Sequence, residues 1–69
     1  MKLIKLRYLR DKANIKQETF ATLLGVKKAA YSQKENGKIE FRLSEMLKIQ
    51  KALNKKLGEK LTLDDIFLN

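Results

Sequence analysis

Residues 17–37 read QETFATLLGVKKAAYSQKENG, and this stretch decides the predicted fold. Its apolar spacing predicts a helix over residues 17–24 and a second helix over residues 28–35 that has one polar face. Gly25 lies between them, where the chain needs a residue that tolerates a positive φ. The stretch therefore predicts two short helices joined by a tight glycine turn.

Small and apolar side chains occupy the positions where two short helices joined by a tight turn require them. Ala21 is small, as the close crossing of two helices demands, and Val26 is apolar and can seal the corner between them. Phe20 and Tyr31 fill further apolar positions, so we interpret Tyr31 as a core residue. Lys34 stands where an apolar residue is expected, and we predict that its methylenes cover the core while its ammonium reaches solvent.

The sequence on either side of this stretch also has the apolar spacing that predicts helices. Leucines that recur every three or four residues predict an amphipathic helix over residues 2–13. We expect it to stop at Asn14, because asparagine tolerates the left-handed conformation. A fourth helix is predicted from Leu43 to an end between residues 54 and 58, and a capped last turn of helix over residues 63–67.

Strands are not predicted in any part of the chain, because no segment shows convincing alternation of apolar and polar residues. The chain has no proline and no Gly-rich or Ser-rich linker. We therefore predict an all-α fold of four or five helices, in a single domain that covers residues 1–69.

The composition points to a binding module. The chain has 16 Lys and Arg against 8 Asp and Glu, a net charge of +8, and no His or Cys. Zinc fingers, Cys or His nucleophiles and most transition-metal sites need the missing residues. We therefore predict that the protein is not an enzyme and has no cofactor or metal site. A basic domain gains affinity by displacing the counterions on phosphates, so the predicted partner is nucleic acid.

Membrane insertion and export are not predicted. Charges recur every two or three residues near the N-terminus, and no apolar run approaches the roughly 18 residues of a membrane span. We expect a cytoplasmic location and no membrane partner.

The chain resembles the Cro/repressor-type helix-turn-helix family, the xenobiotic-response-element class. The residues that carry the resemblance, over about residues 3–67, are Arg10, Gln17 to Ala21, Leu24 to Val26, Ser32 and Glu35 to Gly37. The resemblance implies a compact, lambda-repressor-like DNA-binding domain. Its helix-turn-helix comprises helices two and three, at about residues 17–37.

One face of the third helix is predicted to read DNA bases. Lys28, Ala29, Ser32 and Gln33 share this face, which would enter the major groove. The amide of Gln33 can pair with adenine, Lys28 with guanine acceptors, and the Ala29 methyl with a thymine methyl. The alternative is a solvated polar face on a structural helix.

Other residues are predicted to contact the DNA backbone. Lys16 and Lys27 occupy helix starts where the family places Thr or Ser, and a cation there is unfavourable for helix stability, which points to phosphate contacts. The resemblance implies that Gln17 holds a phosphate through its backbone amide and side chain, although plain solvation is an alternative. The loop after the third helix contributes Asn36, Lys38 and Arg42, and Arg42 is equally consistent with a solvent-exposed position.

The resemblance also implies a partly buried ion pair between Arg10 and Glu35. This pair would tie the first helix to the end of the third helix.

These observations predict a sequence-specific regulator that binds double-stranded DNA, such as a repressor of bacterial, phage or mobile-element origin. One module offers DNA only about 600 to 1,000 Å², so we expect a homodimer on an inverted-repeat operator. The predicted dimer contacts lie in the tail, residues 57–69, with its apolar side chains Leu61, Leu63, Ile66, Phe67 and Leu68. Two alternatives remain: a protein-interaction module such as an antitoxin or anti-repressor, and a nonspecific nucleic-acid binder.

Overall fold

The computed structural model describes residues 2–68, which form five α-helices and no strand. The two end residues of the predicted domain 1–69, and the last residue of the predicted tail, lie outside the described residues. The all-α prediction is confirmed. The helices are α1 (Ile4–Lys12), α2 (Gln17–Leu24), α3 (Lys28–Glu35), α4 (Leu43–Leu57) and α5 (Leu63–Phe67).

The turn between α2 and α3 has the predicted glycine geometry. Gly25 ends α2 with φ +71°, in the left-handed region, and its N–H bonds the Thr22 carbonyl at 3.1 Å. A Cβ at this position would meet no atom within 4 Å. The backbone conformation, rather than lack of space, therefore favours glycine here. Both helices have the bounds that the sequence predicts.

The first helix is shorter than predicted, with nine residues instead of twelve. At its start, Leu3 is the N-cap residue, and its backbone N–H donates to the Glu35 carbonyl at 3.0 Å, which attaches the start of α1 to the end of α3. At its end, Asn14 has φ 57°, the left-handed stop that was predicted.

The fourth and fifth helices are joined by a connection that side chains hold in place. The Leu61 N–H donates to Asn54 Oδ1 at 2.8 Å, and Asn54 Nδ2 donates to the Leu61 carbonyl at 3.2 Å. The predicted capping box of α5 is confirmed, because Thr62 Oγ1 accepts from the Asp65 N–H and Asp65 Oδ2 accepts from the Thr62 N–H.

Tyr31 is fully buried in the core. Its ring packs edge-on against Phe20 and Phe41, each with 6.0 Å between ring centroids, and Phe41 packs in the same way against Phe67. Burial raises the pKa of the Tyr31 hydroxyl well above its usual range. The interpretation of Tyr31 as a core residue is confirmed. The apolar residues of the core are Leu6, Leu9, Ala13, Phe20, Ala21, Tyr31, Ile49, Leu53 and Ile66.

The prediction that the Lys34 ammonium reaches solvent is wrong. Lys34 is 8% exposed, and its Nζ donates to Glu45 Oε1 at 2.9 Å and to the Glu40 carbonyl at 3.4 Å. The ammonium also lies 5.8 Å from the centre of the Phe41 ring. A carboxylate on the first turn of α4 thus lets a charged side chain occupy an apolar position, because a buried charge needs a partner.

The predicted dimerisation tail contributes to the core of its own chain. Ile66 is fully buried, and Leu61 and Phe67 are partly buried against the core. Leu68 is 60% exposed. None of the described helices is long and apolar enough to cross a membrane.

Candidate nucleic-acid interface

The third helix presents its polar face to solvent. Lys28, Ala29 and Gln33 are exposed and Ser32 is half-buried, whereas Tyr31 on the opposite side is fully buried. Helical spacing produces this division, because residues three and four apart lie on the same side. The four residues predicted to read bases are therefore together on one accessible surface, with an amide, an ammonium, a hydroxyl and a methyl group.

The helix-turn-helix has two helix starts without a side-chain cap. Lys16 precedes α2 and Lys27 precedes α3, both with extended backbone, and neither forms a capping hydrogen bond through its side chain. Both residues are exposed. The amides of a first helical turn have no acceptor within the helix and carry a partial positive charge. Both starts therefore combine amide donors with a cation.

The side chain of Gln17 is held by the protein. Gln17 is half-buried, and its Nε2 donates to Glu35 Oε1 at 3.3 Å. This bond fixes the first residue of α2 against the end of α3. The backbone amide of Gln17 lies at the first position of α2, where it has no acceptor within the helix, and amides in this position can bind anions.

Arg10 and Glu35, the pair expected from the resemblance, lie in direct contact. Arg10 Nε donates to Glu35 Oε2 at 3.0 Å and Nη2 donates to Oε1 at 3.1 Å, while Nη1 donates to the Ile15 carbonyl at 2.8 Å. Both side chains are less than 10% exposed. Burial opposes the charge of Arg10, but the hydrogen bond and the charge of Glu35 outweigh it and raise the Arg10 pKa. This bidentate pair fastens α1 to α3.

The loop after α3 carries the remaining predicted contacts, and all three are exposed. Asn36 caps α3, and the Lys38 N–H bonds the Gln33 carbonyl at 2.9 Å. Arg42 precedes α4, and its backbone N–H donates to Glu45 Oε1 at 2.9 Å. Lys38 and Arg42 thus have backbone amides held by hydrogen bonds, and both residues are exposed.

An open cleft of about 470 Å³ brings several of these residues together. Gln17, Lys28 and Asn36 are among its lining residues, whereas Lys38 and Arg42 are not. Sequence reasoning missed Arg7 and Glu18. Arg7 could have been found from its position three residues before Arg10, on the same side of α1. The complete lining is Arg7, Arg10, Lys16, Gln17, Glu18, Lys28, Glu35 and Asn36.

Comparison with known proteins found one matching family model, which is described as helix-turn-helix and matches residues 6–60. The match includes α2, α3 and all of α4. Neither a curated protein nor a solved structure matched the chain.

Proposed function

The chain belongs to the Cro/repressor-type helix-turn-helix family of DNA-binding regulators, and on this premise we propose that it recognises a specific double-stranded DNA sequence with α3 in the major groove. The observation that carries the proposal is the exposed polar face of α3, formed by Lys28, Ala29, Ser32 and Gln33. This face presents hydrogen-bond donors, an acceptor and a methyl group on one accessible surface, and these are the groups that bind base edges in the major groove.

The proposed base contacts follow from the groups that α3 presents. Gln33 can donate to and accept from the major-groove edge of adenine, and Lys28 can donate to the O6 and N7 acceptors of guanine. The Ala29 methyl suits a thymine methyl, and the Ser32 hydroxyl can bond several bases. Each bidentate contact discriminates against a wrong base by about 1–3 kcal/mol.

The proposed phosphate contacts are made by residues around α3. Gln17 contributes its backbone amide, and the exposed side chains are those of Lys27, Asn36, Lys38 and Arg42. Such contacts fix the orientation of the protein on the duplex without reading its sequence. The net charge of +8 supports this assignment, because phosphate contacts release counterions and make the affinity dependent on salt.

We further propose that two copies bind an inverted repeat and repress transcription by occupying a promoter of bacterial, phage or mobile-element DNA. A single module covers too little DNA for strong specificity, and a symmetric dimer reads two half-sites about 10 base pairs apart. We propose that the dimer contacts are made by exposed leucines of the tail and of α4, namely Leu68, Leu43 and Leu47.

The test is selection of bound duplexes from a random DNA pool. Fluorescence anisotropy then measures the affinity of the selected duplexes and of scrambled duplexes at several salt concentrations. We expect an inverted repeat with half-sites about one helical turn apart, bound about a thousandfold more tightly than scrambled DNA. If the selection enriches no sequence and the affinity depends only on salt, α3 contributes charge without reading bases. The protein would then be a nonspecific nucleic-acid binder.

A second candidate is a protein-interaction module on the same scaffold, such as an antitoxin or anti-repressor. It is favoured by an apolar cleft of about 320 Å³ that includes Leu3, Ile39, Phe41, Met46 and Phe67 in its lining. A partly exposed apolar cleft is a typical protein-binding surface. This candidate would be favoured if the selection enriches no DNA sequence and if a protein ligand binds an Ile39→Ser variant more weakly than the wild-type protein.

A further inference from the structure

The cleft beside the start of α2 collects cations from three separate segments of the chain. Arg7 comes from α1, Lys16 from the connection between α1 and α2, and Lys28 from the start of α3. All three are exposed. Cations gathered on one concave surface produce a positive potential that attracts an anion.

Arg7 differs from the other cations on its helix. Lys5 Nζ donates to the Asp64 carbonyl at 3.0 Å, and Lys12 Nζ lies 3.5 Å from Glu59 Oε1. Arg10 is paired with Glu35. Within residues 2–68, Arg7 forms no ion pair and its side chain forms no hydrogen bond. Its guanidinium is therefore free to bind a ligand in the cleft.

The acidic residues of the cleft have different roles. The Glu35 carboxylate is occupied by Arg10 and Gln17, and it neutralises the Arg10 charge. Glu18 is exposed on the first turn of α2, where a carboxylate stabilises the positive end of a helix. It is also the remaining negative charge of the cleft lining, and it opposes the approach of any anion.

We propose that Arg7 contacts a DNA phosphate in this cleft and that Glu18 weakens the same contact. The inference rests on the proposed function, and it assigns to α1 a direct part in binding. A guanidinium can donate two parallel hydrogen bonds to phosphate oxygens, which suits a residue that approaches from the flank of the interface. Glu18 repels the phosphate by its charge. Arg7 therefore raises the affinity for DNA and Glu18 lowers it.

The experiment compares three exposed, charge-changing variants on the selected duplex and on scrambled DNA. Arg7→Gln removes the proposed contact, Glu18→Gln removes the opposing charge, and Lys51→Gln is the control, since Lys51 is an exposed cation of α4 outside the cleft lining. Affinities are measured by fluorescence anisotropy from low to high salt. Circular dichroism checks that each variant keeps the wild-type melting temperature.

We expect Arg7→Gln to bind both duplexes about two- to fivefold more weakly, the scale of one exposed ion pair. Its plot of log affinity against log salt should be shallower by about one unit, as for one lost phosphate contact. Glu18→Gln should bind about two- to fivefold more tightly. Lys51→Gln should keep the wild-type salt dependence.

Equal salt dependence in Arg7→Gln and Lys51→Gln, or no gain of affinity in Glu18→Gln, would overturn the inference and leave the proposed function intact. Absence of sequence-dependent DNA binding by the wild-type protein would instead overturn the proposed function. Absence of any DNA binding would overturn both.

Discussion

Glu35 illustrates how much a single residue contributes to this molecule. Its carboxylate accepts from Arg10 and Gln17, and its backbone carbonyl accepts from the Leu3 N–H. One residue at the end of α3 therefore holds the start of α1 and the start of α2. The same carboxylate stabilises the fold and orients the proposed DNA contacts.

Substitution of Glu35 by Ala should therefore lower the melting temperature strongly. The change leaves the buried Arg10 guanidinium without its partner, which costs about 3–5 kcal/mol of unfolding free energy. Thermal unfolding followed by circular dichroism measures it. The matched control is Asp11→Asn, because the Asp11 side chain is 62% exposed and lies 3.4 Å from the same arginine. A melting temperature that is unchanged in Glu35→Ala would contradict the proposed contribution of the pair to stability.

The ionisation of Glu45 makes the free energy of unfolding depend on pH in the acid range. Burial opposes its charge, but the Arg42 N–H and the Lys34 ammonium outweigh burial and lower the pKa of Glu45 below its ordinary value of 4.5. A carboxylate whose pKa is lower in the folded state stabilises the protein fully above its unfolded pKa. This contribution is lost as the pH falls below about 4.5 and through the folded value.

The free energy of unfolding should therefore fall between pH 6 and pH 3 by a larger amount in the wild-type protein than in Glu45→Gln, where this carboxylate cannot titrate. Urea titrations at several pH values measure the difference. Identical slopes against pH in the two proteins would show that the pKa of Glu45 is the same in the folded and unfolded states, and would contradict the prediction.

At the scale of the elements, α2 and α3 are joined by a glycine turn, and α2 buries one small residue in the core. Gly25 supplies the left-handed turn, and Ala21 is 3% exposed in the core. The short helices need this fixed geometry, because eight residues each are too few to be stable alone. Their relative position in turn fixes the direction of the exposed face of α3.

Gly25→Ala should lower the free energy of unfolding by about 1–2 kcal/mol, because a Cβ is unfavourable at φ +71° even where no neighbour obstructs it. Urea denaturation measures the loss. Gly25→Asn should lose less, because asparagine tolerates this conformation. A wild-type stability in Gly25→Ala would mean that the turn adopts another backbone conformation.

The exposed face of α3 should control which sequence is bound. Gln33→Ala should weaken binding to the selected duplex by about 1–3 kcal/mol and relax the preference at one base pair. Lys38→Gln, on the loop after α3, should weaken binding to all duplexes alike. Repeating the selection with each variant separates the two effects. An unchanged preference in Gln33→Ala would exclude this residue from base recognition.

At the scale of the whole molecule, the tail (residues 57–69) contributes to the core and also carries part of the proposed dimer contact. α5 packs against α1 and α4, and Ile66 is fully buried. Deletion of residues 61–69 would therefore remove part of the core together with any dimer contact. Such a deletion cannot separate folding from assembly.

The combined variant Leu47→Ser and Leu68→Ser tests the proposed dimer more directly. Both residues are exposed, at 48% and 60%, so the folded monomer should keep nearly its wild-type stability while dimerisation weakens. Sedimentation equilibrium measures the association. The control Ile66→Ala should lower the free energy of unfolding by about 2–5 kcal/mol. An unchanged association in the double variant would place the dimer contact elsewhere.

The sequence by itself determined the helical class, the bounds of α2 and α3, and the stops at Asn14 and Gly25. Periodicity and capping are local, so neighbours in the sequence suffice to define them. The resemblance carried by Arg10 and by residues within 17–37 also indicated the family, and the match to the helix-turn-helix family model confirms it.

Apart from the Arg10–Glu35 pair that the resemblance implied, only the tertiary structure decided which distant side chains meet. The folded chain pairs Lys34 with Glu45, eleven residues away, and joins the Leu3 N–H to the Glu35 carbonyl at the end of α3. It also placed Arg7 and Glu18 in one cleft and buried Ile66 in the core. Helical spacing tells which residues share a face of one helix, but these contacts depend on how the helices pack against each other. That packing is set by the shape of the whole core, which no local pattern contains.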